Sequence, residues 1–180
     1  VYGEASRFQA FYDDRVPSGY VPKRVPPAGF KTGAPFYSPE VLRKVLTVLD
    51  FIDTVEDPAP QGLFRLAFAS TMVRYSNYSY GPSLGRRASA GKEEIRDFPV
   101  GQVILSKLME MAEDIAWLQA NLPEREVNAR VINDSFFQYP SCVVPGSVDL
   151  IVTSPPYLNN YHYNRNTRPH LYWLGVSEPV

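Results

Sequence analysis

The chain has 180 residues, 44% of them hydrophobic and 21% charged, and its formal net charge is −1 at pH 7. This length fits one domain or part of one, with enough apolar residues to bury a core. A charge so close to zero argues against binding nucleic acid through a uniformly basic surface. It still allows basic residues that are confined to one cleft.

Cysteine content and hydrophobicity bear on where the protein resides. Cys142 is the only cysteine, so no internal disulfide can form, as is typical of proteins in a reducing cytoplasm. No run is long and apolar enough to span a bilayer, and no signal peptide leads the chain. We therefore expect a cytoplasmic protein without a membrane partner. Because the first residue is Val1, we also expect a fragment or a processed product.

Residues 1–37 are rich in Pro, Gly and Tyr, and five prolines from Pro17 to Pro35 interrupt any periodicity. This composition predicts an extended arm or irregular loop that packs through its aromatic side chains.

Residues 38–122 are predicted to be mainly helical. Ser38–Glu40 is a helix start, and apolar residues then recur at helical spacing to about residue 54. A proline-containing turn at 56–60 is expected to end this helix, and a second helix is expected from Gly62. Asp97-Phe98-Pro99 opens a third helix, which runs as far as the turn at 123–126.

The segment 74–92 interrupts these helices with tyrosines, glycines and small polar residues, and it carries Arg86, Arg87 and Lys92. We expect a mobile loop. Bases interleaved with aromatic rings can hold phosphates while nucleobases stack, so these three residues are candidate DNA contacts. A flexible surface connector is an equally open interpretation.

Two short apolar segments, 127–132 and 148–153, follow the third helix and are predicted to be strands of a parallel sheet. The second leads directly into Ser154-Pro155-Pro156-Tyr157, where consecutive prolines stiffen the chain. Ligand chemistry in α/β folds lies at the carboxyl ends of parallel strands. Residues 123–180 are therefore predicted to form part of an α/β catalytic core.

The segment after the second strand offers a hydroxyl, free carbonyls and an aromatic ring, which suit an exocyclic amine on a flat heterocycle. Thr153–Tyr157 resembles the Ser/Asp/Asn-Pro-Pro-Tyr catalytic motif of the DNA amino-methyltransferases. These enzymes methylate cytosine N4 or adenine N6 with S-adenosylmethionine, and the Ser form is more typical of the cytosine group. Because a related motif occurs in enzymes that methylate RNA guanine or a protein glutamine amide, those substrates stay open.

The resemblance implies an incomplete Rossmann-like methyltransferase fold, with Ser154, Pro155, Pro156 and Tyr157 as catalytic residues. Tyr157 would stack on a base flipped out of DNA, while oxygens of Ser154 and Pro155 accept from its amine. Asp134 and Phe136, which follow the first predicted strand, match the turn that holds the adenine of S-adenosylmethionine. A turn or helix-cap role is the alternative for Asp134.

The glycine-rich loop that cradles the cofactor's methionine in this family is not found here, so we expect it to precede Val1. The chain alone would then be inactive. Arg165 and Arg168 would clamp phosphates or serve as surface charges. His162 and His170 lack a plausible set of partner ligands, so no metal is expected.

The resemblance thus implies part of a restriction-modification methylase whose partners are DNA and either the rest of the enzyme or another subunit. The alternative is a non-catalytic DNA-binding or subunit-interaction module with a degenerate methyltransferase core.

Overall fold

The computed structural model describes residues 1–30, 32–81, 83–122, 129–132, 134–154 and 163–176. Over these residues the chain forms five α-helices and one antiparallel pair of strands. The helices are α1 (Tyr2–Arg15), α2 (Pro39–Ile52), α3 (Pro58–Thr71), α4 (Val100–Asn121) and α5 (Tyr163–Trp173). The strands are β1 (Tyr78–Tyr80) and β2 (Leu84–Arg86), and 3-10 helices cover Ala88–Ala90 and Phe136–Ser141.

The chain divides into two compact units. The first combines Val1–Gln119 with His162–Val180 and contains α1, α2, α3, the two strands, most of α4, and α5. The second is Ala120–Tyr161, which contains the end of α4 and the 3-10 helix Phe136–Ser141. None of the described helices is both long enough and apolar enough to cross a membrane.

α1 corrects the prediction of an irregular arm over residues 1–37. The residues before the first proline place Ala5, Phe8 and Tyr12 at steps of four or three, which is the spacing of one helix face. The helix ends at Arg15, and Pro17 has no N–H with which to continue the ladder. The many prolines further along the segment obscured this pattern.

The described residues between α1 and α2 have no regular structure, as predicted, and Asp50 of α2 holds part of them in place. Its buried carboxylate accepts hydrogen bonds from the Tyr20 hydroxyl (2.8 Å), Lys23 N (2.7 Å) and Arg24 N (2.8 Å). These donors replace the water that a buried carboxylate loses, which is the condition for burying one at tolerable cost.

The structure confirms α2 and α4 and corrects the start of α3. Ser38 caps α2 by accepting from Val41 N, as its position before Pro39 predicts. α3 begins at Pro58 rather than Gly62, because Asp57 caps it and accepts from Ala59 N at 2.9 Å. Prolines in a first helical turn cost no hydrogen bond, so the proline-containing turn starts a helix here.

Aromatic side chains form the core of the first unit. Phe8 of α1, Phe51 of α2 and Phe64 of α3 are fully buried, with ring centroids 5.1–5.5 Å apart. Tilted and edge-on pairs of this kind add to the stabilisation that comes from apolar burial. Trp173 of α5 joins the same core and packs edge-on against Tyr37, with ring centroids 4.9 Å apart.

The segment 74–92 is an ordered hairpin in its described residues, which corrects the prediction of a mobile loop. Tyr78 pairs with Arg86, Ser79 with Gly85, and Tyr80 with Leu84. Tyr78 and Leu84 are buried, and the Tyr78 ring stacks on Phe36 at 5.3 Å. The hairpin is therefore fixed by tertiary burial of two apolar side chains, which a loop-like composition does not reveal.

The two strands predicted at 127–132 and 148–153 are not formed in the described residues, 129–132 and 148–153, so these strand predictions are wrong. Leu150, Ile151 and Val152 are 79%, 76% and 87% exposed, and not buried as expected. A strand needs a neighbouring strand to pair with, and no described residue pairs with either segment. The α/β fold of the catalytic core stays a prediction.

Candidate functional site

Ser154 is the one residue of the predicted catalytic motif that the structure describes. It is exposed and follows residues 150–153, which are also exposed and have no regular secondary structure. Pro155, Pro156 and Tyr157 lie outside the described residues. Ser154 is therefore accessible from solvent, and its catalytic role stays a prediction.

Asp134 and Phe136, the predicted cofactor residues, lie in the same unit as Ser154. Asp134 is exposed, and its Oδ1 accepts from Ser135 N at 2.7 Å. Phe136 begins the 3-10 helix Phe136–Ser141. The Asp134 carboxylate thus has the local turn contact that was the structural alternative. Its second oxygen, Oδ2, has no hydrogen-bond partner among the described residues and can accept another donor.

The predicted DNA contacts Arg86, Arg87 and Lys92 belong to the first unit, at the end of the hairpin and the turn after it. Arg86 is exposed, and no described residue pairs with its guanidinium group. Arg87 donates from Nε to Glu93 O at 2.8 Å, and Lys92 Nζ lies 3.5 Å from Ser79 Oγ. Two of the three cations are therefore oriented by neighbouring oxygens.

Arg165 and Arg168 lie on α5, in the same unit as the hairpin. The Arg168 guanidinium carbon is 5.5 Å from the centroid of the Tyr172 ring, within cation–π range. Arg165 is the third residue of α5.

Asn166 joins α5 to the hairpin, and the sequence did not single it out. Its Oδ1 accepts from Leu84 N at 2.9 Å, and its carbonyl accepts from the Tyr80 hydroxyl at 3.4 Å. The structure therefore brings the element that carries Arg86 into contact with the helix that carries Arg168.

Asn77 fixes the base of the hairpin and was also missed. Its side chain donates to Pro35 O at 3.3 Å and accepts from Ile95 N at 3.0 Å. Its backbone N–H donates to Phe36 O, and its carbonyl accepts from Arg87 N. A single buried asparagine leaves no periodic signal, so only the tertiary structure reveals this role.

Within the described ranges, no three His, Cys, Asp or Glu side chains gather into a group that could hold a metal ion.

Comparison with known proteins gives one partial relative. Over 100 residues the chain is 32% identical to the Type II methyltransferase M.BsoBI of Geobacillus stearothermophilus. The match covers 52% of this chain and 20% of the relative, so the chain spans about a fifth of that protein. No protein-family model matches, and no solved structure matches. The match supports a relationship to methyltransferases, the class to which the Ser-Pro-Pro-Tyr resemblance also points.

Proposed function

We propose that the chain is part of an S-adenosylmethionine-dependent DNA methyltransferase that modifies an exocyclic base amine, cytosine N4 in preference to adenine N6. The observation that carries the proposal is the segment Ser154–Tyr157 in a chain that is 32% identical over 100 residues to a Type II methyltransferase. The motif supplies the chemistry, and the similarity supplies the class of protein.

The chemistry of the motif follows from its groups. Ser154 Oγ and the carbonyls of Ser154 and Pro155 would accept hydrogen bonds from the target amine, which orients the nitrogen lone pair for attack. The Tyr157 ring would stack on the flipped base. Most of the rate gain would come from aligning two bound reactants, with electrostatic support as positive charge develops on nitrogen.

Asp134 fits a role in holding the cofactor. An exposed carboxylate with one oxygen that no described residue contacts can accept from the amino group of an adenine ring, and the apolar Phe136 lies two positions further along the chain. S-adenosylmethionine, when bound, supplies a methyl group from its sulfonium centre.

Methyl transfer to duplex DNA by the protein that carries this chain tests the proposal. Radiolabelled S-adenosylmethionine reports transfer, and mass spectrometry of the digested DNA separates N4-methylcytosine from N6-methyladenine. We expect Ser154→Ala to lower kcat by about tenfold or more, because an acceptor used in the transition state is lost. Tyr157→Ala should lower transfer by roughly 5- to 150-fold, the equivalent of one lost stacking contact.

Matched variants separate these effects from general damage. Ser147→Ala removes an exposed serine from the unit that contains Ser154. Tyr2→Ala removes an exposed tyrosine that is distant from Tyr157 in the sequence. Both should transfer like the parent, while Tyr157→Phe should keep most of the stacking. Equal transfer by the parent, Ser154→Ala and Tyr157→Ala would remove the catalytic assignment.

A second candidate function is a non-catalytic DNA-binding or subunit-interaction module. The observation in its favour is the segment 148–154, whose described residues are exposed and unpaired where a catalytic core would bury a strand. This candidate predicts DNA or subunit binding without methyl transfer, so the same assay, combined with a binding measurement, discriminates the two.

A further inference from the structure

Gly85 has no explanation within the hairpin. It lies in the middle of β2, where glycine weakens a strand and usually marks a bulge, a bend or the close approach of another molecule. The pairing with β1 is one-to-one across Gly85, so no bulge is present. Its φ is not among the positive values found at other glycines, so its backbone does not require glycine either.

Space on that side of the strand is open. Among the described residues, a Cβ at Gly85 would meet nothing closer than Ser83 O at 4.0 Å, so their side chains leave room for a larger residue there. Close approach by another molecule is a reason for glycine that this open space allows.

The groups around this open space are suited to an anion. Ser79 pairs with Gly85 and points to the same face, because paired residues share a face of the ladder. Lys92 Nζ lies 3.5 Å from Ser79 Oγ, which places its ammonium group on that face. Ser79, Gly85 and Lys92 are called the Gly85 face below.

The charge around the Gly85 face is mainly positive, although the exposed Glu93 and Glu94 follow Lys92 directly. Segment 74–92 contains four basic residues (Arg74, Arg86, Arg87 and Lys92) and no acidic residue, in a chain whose net charge is −1. Arg74 and Arg86 are exposed. A local positive field of this kind attracts phosphates even when the whole chain is close to neutral.

We propose that the Gly85 face binds the phosphate backbone of DNA, with Ser79 and Lys92 as donors and Gly85 as the point of close approach. Phosphate contacts set the register of a protein on DNA without reading its sequence. The hairpin would therefore position the duplex. Asn166 would couple the hairpin to α5, which begins six residues after Tyr157 in the sequence. The inference rests on the proposed function, because DNA is the substrate there.

Anisotropy of a fluorescein-labelled duplex, measured with the protein that carries this chain and without S-adenosylmethionine, tests the Gly85 face. We expect Gly85→Val to raise the Kd for DNA by at least tenfold, because the side chain blocks close approach. The Tm should stay unchanged or rise, because valine favours strands. Gly62→Ala is the matched glycine variant, since nothing lies within 4 Å of a Cβ at Gly62 in α3. It should bind like the parent.

A second variant decides the question if Gly85→Val fails to fold. Lys92→Gln changes an exposed side chain and should reduce the slope of log Kd against log salt by about one. Lys23→Gln, at another exposed lysine, should leave the slope unchanged.

The outcomes separate this inference from the proposed function. Parent-like binding and salt slope in both Gly85→Val and Lys92→Gln overturn the inference, as does a parent that binds no DNA. If the parent methylates DNA while both variants bind normally, the inference alone falls. If the variants lose binding but the parent transfers no methyl group, the proposed catalytic function alone falls.

Discussion

Gly101 sets how closely α1 and α4 approach each other. A Cβ there would lie 2.6 Å from Cε1 and 2.7 Å from Cδ1 of the Tyr12 ring. That ring also packs on Phe8, with centroids 5.6 Å apart, and burial raises the pKa of Tyr12 to about 12. The Tyr12 ring is therefore neutral at pH 7 and lies between Phe8 and Gly101.

Gly101→Ala should destabilise the protein. Helix propensity favours alanine by up to about 1 kcal/mol, but forcing a methyl group into a filled contact costs about 1–3 kcal/mol. Denaturant unfolding measures the balance, and Gly101→Ala combined with Tyr12→Leu should recover much of the loss. In contrast, Gly62→Ala, in open space on α3, should be neutral or stabilising. An unchanged midpoint for Gly101→Ala would show that Tyr12 yields easily.

Among the elements, α2 is tied to the start of α4 by an ion pair. Lys44 Nζ donates to Asp97 Oδ1, and the same oxygen accepts from Phe98 N at 2.7 Å. The hydrogen bond from Lys44 is the main cause that lowers the pKa of Asp97 below its ordinary value of 3.8. A lowered pKa means that the folded state holds the ionised form more strongly than the unfolded chain does.

This ion pair predicts a pH dependence of stability. The contribution of Asp97 should be fully present above its ordinary pKa and lost as the pH falls through the lowered pKa of the folded state. Lys44→Met should raise the Asp97 pKa towards its ordinary value, as followed by NMR titration of the carboxyl group. The effect on unfolding between pH 7 and pH 2 should be small, because the Asp97 side chain is 60% exposed and screened by solvent.

Lys107→Met is the control for this pair. It removes a lysine 2.6 Å from Glu110 on α4 and leaves Asp97 untouched. The Asp97 pKa should not move in that variant. A lowered Asp97 pKa that persisted in Lys44→Met would assign the shift to the backbone contact instead.

For the whole molecule, the two tryptophans report whether α5 belongs to the helical unit. Trp173 packs against Tyr37 and is 6% exposed, whereas Trp117 on α4 is 64% exposed. Trp117→Phe leaves Trp173 as the sole indole, and its emission should be blue-shifted and resist acrylamide quenching. Trp173→Phe should leave a red-shifted, readily quenched Trp117, and red-shifted emission in both variants would show α5 detached.

Helices with a clear cap and regular spacing could be predicted from sequence. Ser38 with Pro39 located α2 through a cap, and the apolar spacing after Asp97-Phe98-Pro99 located α4, because both signals act within a few residues. α1 was missed because the prolines that follow it dominated the interpretation. Pro58 is typical of a helix stop in sequence but occupies the first turn of α3, so the predicted start of α3 is four residues late.

The candidate site could likewise be predicted only in part from the sequence. Ser154–Tyr157, Asp134 and the basic cluster of 86–92 stand out in the sequence because their residue types carry the chemistry. The contact between the hairpin and α5 does not stand out in the sequence, since Asn166 and Leu84 are 82 positions apart in the chain. Gly85 had no visible role until the strand pairing showed an open face beside it.

The sequence by itself determined the helices with local signals, and it carries the Ser154–Tyr157 motif on which the proposed amine site rests, because both depend on residues within a few positions. Only the tertiary structure decided that Tyr78–Tyr80 pairs with Leu84–Arg86, that α5 joins the helical core, and that 148–153 is exposed. Strand pairing and burial are settled by partners distant in sequence, and a local pattern carries no information about whether such a partner is present.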